Sequence, residues 1–478
     1  MTLRQAQGGA INGSVDAVLL PGFVGTTLPD WVADRLRAGL AGVCLYGENV
    51  ESLGQLTSLA WQIRQAKPDA LIAIDEEGGD VTRLHYVDGS PYPGAALLGR
   101  IDDLELTALV GRAVADDLGF VGVDLNLAPV ADVNSDPRNP VIGVRSFGAD
   151  PALAARHVAA FTRAHEAAGV ATSVKHFPGH GDTAADSHLA LPVVDVPLEV
   201  LRERDLPPFR AAIEAGARTV MTSHILLPQV DPDGPATFSS RILGDLLRGE
   251  LGFDGVVVSD ALDMAGAAEF PNAAGETGIP AAAARALAAG CDLLCLGTGG
   301  SAEQLDAIAD AVLGAVDPER LADAERRVGK LVDSLRVEKQ QAASWGIATD
   351  QLVEGFEVAP GATPAPDAVL VVVETTANIA VGFAPWGPAA AGADVLRIRA
   401  GDPLPAQLGD SAIVLVAKDV HRHPEVAALA ELVKARNPGS LVVDMGWPSG
   451  PVDVATYGAS RGVGEALLYW LRARGWQG

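Results

Sequence analysis

The densest run of reactive side chains in the chain is Lys175 to His188, KHFPGHGDTAADSH, which holds three histidines, two aspartates and a lysine. It follows the apolar run Gly169–Val174, which reads as a buried strand, and its small, polar and turn-forming residues read as a loop. Titratable groups gathered just past a strand end mark the place where parallel strands carry chemistry. Several chemistries fit the residue types. His176, His180, Asp182, Asp186 and His188 are all metal-ligand types, but there is no helical HExxH spacing, and Pro178, Gly179 and Gly181 oppose a helix. Lys175 could act as a Schiff-base nucleophile, although nothing else in the sequence supports it. A plain solvated loop is the least demanding reading. Acid/base catalysis is the reading with a specific couple, Asp186-Ser187-His188. In an extended segment, one intervening residue puts both side chains on the same side. The carboxylate then fixes one ring nitrogen and leaves the other to carry a proton, as acid in one step and base in the next.

A second carboxylate closes an apolar strand in Gly255-Val-Val-Val-Ser-Asp260-Ala-Leu-Asp-Met264. Burying it without a partner would be costly. The competing role for Asp260 is the N-cap of the next helix, and Asp263 is the neighbouring reserve candidate.

Taken together, KHFPGHGDT followed by DSH, the stretch GFDGVVVSDALDM and the stretch DEEGGDVTRL resemble the β-N-acetylglucosaminidase branch of glycoside hydrolase family 3, with matches over roughly residues 15 to 340. The resemblance implies that Asp260 is the nucleophile, that Asp186 and His188 form the acid/base dyad, and that Lys175 and His176 bind sugar hydroxyls. It further implies that Asp75 holds distal hydroxyls, that Arg83 helps bind the ring, that Arg145 in NPVIGVRSFG belongs to a substrate-binding loop, and that His224 in MTSHILLP lies near the site. Glu76 and Asp80 depart from the glutamine and arginine usual there, and Asp80 makes that rim more acidic.

The activity implied is that of a retaining exo-β-N-acetylglucosaminidase acting on small carbohydrates derived from peptidoglycan or chitin, with no cofactor and no metal. Retaining glycosidases usually pair two carboxyl groups about 5.5 Å apart, so a histidine in the acid/base role is a departure. A neutral imidazole repels an incoming anion less than a carboxylate does, which keeps phosphorolysis open beside hydrolysis. A β-glucosidase on the same site and, from a different class, a metal-dependent hydrolase are the alternatives.

These residues need a scaffold that brings strand ends together. Apolar runs at 17–23, 41–46, 71–75, 124–130, 171–176, 218–224, 255–260 and 292–297, separated by amphipathic stretches such as 28–39 and 104–118, predict a (β/α)8 TIM-type barrel over residues 1–343. Asp75, Lys175, His176, His224 and Asp260 then converge on one mouth. Alternation lets Asp124 and Asn126 point into that barrel. A proline- and alanine-rich stretch within 344–366 reads as a linker to a small α/β domain over 367–478, with apolar runs at 368–373, 412–417 and 441–444. Gly458-Ala-Ser-Arg-Gly-Val-Gly464 looks like a dinucleotide loop, but it ends fourteen residues from the C-terminus, which leaves no room for the rest of such a site; a turn and a terminal helix over 463–474 are expected instead.

The formal net charge of −26 disfavours nucleic acid and anionic membranes as partners. Cys44, Cys291 and Cys295 sit in or beside apolar runs and read as buried thiols. With no secretory h-region after the first arginine and no membrane-length apolar run, a cytoplasmic location is expected. The sequence specifies no oligomeric state.

Overall fold

The computed structural model describes residues 15–183, 186–187, 189–335, 346–375 and 379–478. Short, fully buried strands form the first sheet: β1 (Leu19–Leu20), β2 (Gly42–Leu45), β3 (Leu71–Ile74), β4 (Leu125–Asn126), β5 (Ala171–Phe177), β6 (Thr219–Thr222), β7 (Val256–Ser259) and β8 (Leu293–Cys295). They pair in the order β1-β8-β7-β6-β5-β4-β3-β2, every pair parallel. The two ends of the sheet meet through Ala41 N–H to the Asp16 carbonyl (2.9 Å) and Cys44 N–H to the Pro21 carbonyl (3.1 Å). The sheet therefore curls into the expected barrel; seven of the eight strands fall within the apolar runs named from the sequence, and β5 runs one residue beyond its own, to Phe177.

Strands buried on both faces need helices outside them, and the sequence supplies their start signals. Ser52, Asp103, Asp150, Ser301 and Asp317 each accept a backbone N–H from the first turn of the helix that follows.

The fourth strand differs from expectation in both length and facing. It runs only over Leu125–Asn126, and Pro129 contributes no N–H beyond it. Asp124 and Asn126 face the helix layer rather than the barrel interior. Asp124 pairs with Arg64 and accepts the Ile72 N–H, while Asn126 sits 2.9 Å from His165 Nε2, on the helix Pro151–Ala167. Leu127, on the opposite face, lines the cavity at the barrel mouth. The polar pair finds partners outside the barrel, and the apolar pair takes the inside.

A second sheet contains β9 (Glu357–Val358), β10 (Val369–Glu374), β11 (Leu396–Arg399), β12 (Ile413–Ala417), β13 (Leu441–Asp444) and β14 (Val454–Ala455). Its order is β9-β14-β13-β12-β10-β11, parallel except for the β9–β14 edge. Apolar side chains cover both faces: Leu467 and Trp470 of the helix Arg461–Arg472 belong to one buried cluster, and Val426 and Leu429 of the helix Pro424–Arg436 belong to the other. Residues 344–366, read as a linker, carry the helix Thr349–Val353 and strand β9 in their described part; Leu352 and Phe356, four apart, bury into the first of these clusters.

The segment Gly458–Gly464 packs against the barrel. Gly462 N–H donates to the Ser90 carbonyl (3.1 Å), and a Cβ on Gly462 would lie 2.2 Å from the Pro91 oxygen. Glycine is needed here for two backbones to touch, and the following helix starts at Arg461. Among the described residues, no helix is long and apolar enough to cross a membrane. All three cysteines are buried and free.

Candidate active site

At the C-terminal mouth of the barrel a cavity of about 270 Å³ is walled by side chains from strand ends and from the loops that follow them, among them Asp75, Arg83, Arg145, Lys175, His176 and Asp260. Asp75 follows β3 and Asp260 follows β7, while Lys175 and His176 belong to β5, whose register against β6 shifts between Val174 and Phe177. Such an irregularity re-aims side chains, and here two successive residues line one cavity.

The electrostatic frame is a four-residue cluster, in which the Lys175, Glu77 and Arg145 side chains are buried and Asp75 is partly exposed. Lys175 Nζ donates to Asp75 Oδ1 at 2.6 Å and lies 2.8 Å from Glu77 Oε1. Arg145 donates twice to the same Glu77 carboxylate, through Nε at 3.0 Å and Nη2 at 2.7 Å. Burial alone would raise the Glu77 carboxyl, but the charges of Arg145 and Lys175 outweigh it and hold it well below the usual range. The cluster therefore presents fixed cationic donors beside carboxylate acceptors, the combination that grips sugar hydroxyls.

A second buried carboxylate organises the histidines. Asp132 Oδ2 lies 2.7 Å from His176 Nδ1, and its Oδ1 accepts the backbone N–H of His180 at 2.7 Å. Burial opposes ionisation of Asp132, yet the facing His176 keeps its carboxyl below the usual value. His180 Nε2 is 3.0 Å from Ser187 Oγ and its Nδ1 is 2.9 Å from Thr183 Oγ1; burial lowers its pKa to about 4, so it is neutral at pH 7. Among the described residues, no group of three or more His, Cys, Asp or Glu is arranged to hold a metal ion.

Asp260 caps no helix: the next one begins at Ala265, with Met264 at its cap. Its Oδ1 accepts the Ala261 N–H at 2.8 Å and its own N–H points at Thr222 Oγ1 (3.4 Å). Asp263 shares the cavity and accepts the Thr298 N–H at 3.3 Å. Gly297, at φ +85°, leaves space for that carboxylate, since a Cβ there would sit 1.9 Å from it.

Three sequence expectations change. His224 is buried behind the wall instead of lining it: Nε2 donates to the Ala261 carbonyl (3.0 Å), and Nδ1 lies 2.8 Å from Thr237 Oγ1, so it steadies the residue after Asp260. Asp186 lines an adjoining cleft of about 930 Å³. The Asp186 carbonyl accepts the N–H groups of Leu189 and Ala190, both at 3.0 Å, which chain extended from Asp186 would not allow. Ser187 lines the cavity of about 270 Å³, and His188 lies outside the described residues. Finally, Asp80 is no exposed rim charge; its side chain is 5% exposed and accepts the Ala459 N–H at 2.7 Å.

The sequence reading missed Glu77, Asp132 and the contribution of the second sheet. Ile379 and Ala380 line the cavity, and Arg83 reaches past it to donate to the carbonyls of Ala380 (2.7 Å) and Val381 (3.2 Å). A lone acid inside the apolar run 127–133 was the available signal for Asp132. Nothing local announces Ile379 or Ala380.

The family model for the glycosyl hydrolase family 3 N-terminal domain matches residues 26–331. The chain is similar to beta-hexosaminidase from Stenotrophomonas maltophilia strain K279a, 40% identical over 284 residues, 58% of this chain and 82% of that protein. It is 39% identical over 270 residues, 52% of this chain, to beta-hexosaminidase A from Pseudoalteromonas piscicida, and spans only 45% of that protein's length. A solved glycoside hydrolase family 3 beta-N-acetylglucosaminidase from Paenibacillus sp. strain FPU-7 superposes with a TM-score of 0.85 at 30% identity, covering 100% of this chain and 98% of that one.

Proposed function

This chain belongs to glycosyl hydrolase family 3, and from that premise we propose that it is a retaining exo-β-N-acetylglucosaminidase, releasing terminal β-linked N-acetylglucosamine through a covalent glycosyl-enzyme. The barrel, residues 1–343, carries the reaction, and the α/β domain of 367–478 covers part of its mouth. The observation that carries this reading is that the Asp260 carboxylate lines the same small cavity as Asp75, Arg145, Lys175 and His176. A cavity of about 270 Å³ suits one terminal sugar unit, held by the Asp75–Lys175–Glu77–Arg145 cluster.

In the first step an Asp260 oxygen attacks the anomeric carbon while the bond to the leaving oxygen breaks, and His188 gives that oxygen its proton. In the second step His188 takes a proton from water, whose oxygen displaces Asp260 from the sugar. Asp186 orients His188. The cluster holds the ring hydroxyls through donors and acceptors that are already fixed, so the anomeric carbon is presented to Asp260 in one orientation.

Release of p-nitrophenol from the β-N-acetylglucosaminide and the β-glucoside, each with and without phosphate and with and without chelator, tests the reading. The expected result is turnover of the N-acetylglucosaminide, independent of phosphate and chelator. Preference for the glucoside would contradict it, as would a strict need for phosphate or metal.

A further inference from the structure

The second sheet reaches the cavity through one arm, residues 379–387, and three hydrogen bonds tie that arm to the barrel. Arg83 donates to the Ala380 and Val381 carbonyls, and Tyr86 Oη accepts the Phe383 N–H at 3.3 Å. At the base of the arm, Gly387 donates its N–H to the Ala459 carbonyl (2.7 Å), and Gly464 lies so close that a Cβ would be 2.2 Å from the Gly387 oxygen. Ala459 in turn donates its own N–H to Asp80. Ala459 therefore bonds the barrel through its N–H and the base of the arm through its carbonyl.

Asp80 is an unusual residue for such a joint. Its carboxylate is buried, burial raises its pKa, and the nearest cation, Lys418 Nζ, is 3.9 Å away while it stands 4.8 Å from the Trp386 ring centre. A buried carboxylate with so distant a cation is weak as a source of stability, but it fixes which backbone amide docks against it. The glycines around it have the same effect, since Gly462 meets Pro91 and Gly89 meets Pro385 with no room for a side chain.

We propose that Asp80 is a positioning residue for the sugar cavity: by holding the Ala459 amide it sets the docking of the second sheet on the barrel, and with it the place of Ile379 and Ala380 over the substrate. The consequence for substrate binding rests on the glycosidase reading; the docking itself does not.

The test uses the full chain with Asp80→Ala, Asp80→Asn and Gly462→Ala. Asp80→Ala is expected to raise both KM for p-nitrophenyl N-acetylglucosaminide and the inhibition constant of free N-acetylglucosamine about tenfold, with kcat within about threefold of wild type. Asp80→Asn keeps an oxygen for the Ala459 amide and restores both constants to within about threefold; Gly462→Ala, which leaves Asp80 intact, raises them as Asp80→Ala does. Amide hydrogen exchange of the peptide spanning 379–387 is expected to rise in Asp80→Ala and Gly462→Ala and to stay at the wild-type level in Asp80→Asn. Unchanged constants and unchanged exchange in Asp80→Ala would overturn the proposal, and equal damage in the Ala and Asn variants would overturn the amide contact as its basis. A wild-type chain inactive on the glycoside would instead defeat the glycosidase reading, and the exchange measurement would still decide the docking.

Discussion

Glu77 takes both Nε and Nη2 of Arg145, with the two side chains 7% and 5% exposed, while its Oε1 also lies 2.8 Å from Lys175. One carboxylate thus fixes two cations in the wall where the sugar is expected to bind. Without Glu77, Arg145 would lose its carboxylate partner and Lys175 would keep only Asp75.

Replacing Glu77 by Gln keeps the shape and removes the charge. Breaking a buried pair in this way should lower the unfolding free energy by about 3 kcal/mol. Arg145 and Lys175 lose their fixed geometry as well, so KM for the N-acetylglucosaminide should rise on the order of tenfold or more. Urea unfolding and steady-state kinetics on the same preparation check both effects. A variant with unaltered midpoint and KM would contradict the role given to Glu77.

Stability should fall as the solution is acidified from neutrality, and one cause is away from the active site. His165 stacks on Phe161 and lies 2.9 Å from Asn126 Nδ2, and burial lowers its pKa to about 3. The unfolded chain protonates this histidine near pH 6.5, whereas the folded chain leaves it neutral until about pH 3. Its contribution is therefore present above pH 6.5 and lost as pH falls toward 3. Between pH 6.5 and 5 that is about 2 kcal/mol. Unfolding free energies at several pH values, for wild type and His165→Gln, are expected to show a shallower slope in the variant. Parallel slopes would count against His165 as the source.

The proposed proton carrier is best read by varying the leaving group. His188→Ala should cut kcat/KM on a disaccharide by roughly 10³-fold, yet cut it less than about tenfold on a dinitrophenyl glycoside, whose departing oxygen needs no proton. An equal loss on both substrates would assign His188 to binding rather than proton transfer.

Much of the scaffold was legible because long-range order here follows from local patterns. A strand buried on both faces reads as an unbroken apolar run, and eight of them at regular intervals specify a barrel. Lys175, His176, Asp75 and Asp260 were legible because they interrupt or end such runs. Facing was less legible: Asp124 and Asn126 alternate correctly with their neighbours, but only the positions of Arg64 and His165 on outer helices decide which side is polar. The bonding at Asp186 was hidden because nothing local says that its carbonyl accepts the amides of Leu189 and Ala190. Arg83 belongs to the same class, since its partners at Ala380 and Val381 are almost 300 residues away in sequence (|i−j| 297 and 298).

The proposed mechanism turns on covalent attachment of the sugar to Asp260. Incubation with 5-fluoro-N-acetylglucosaminyl fluoride, followed by proteolysis and mass spectrometry, tests it directly. The expected result is a single glycosyl adduct on the peptide carrying Asp260, located on Asp260 by fragmentation and absent in Asp260→Ala. An adduct on Asp263, or full turnover with inverted anomeric configuration and no adduct, would contradict it.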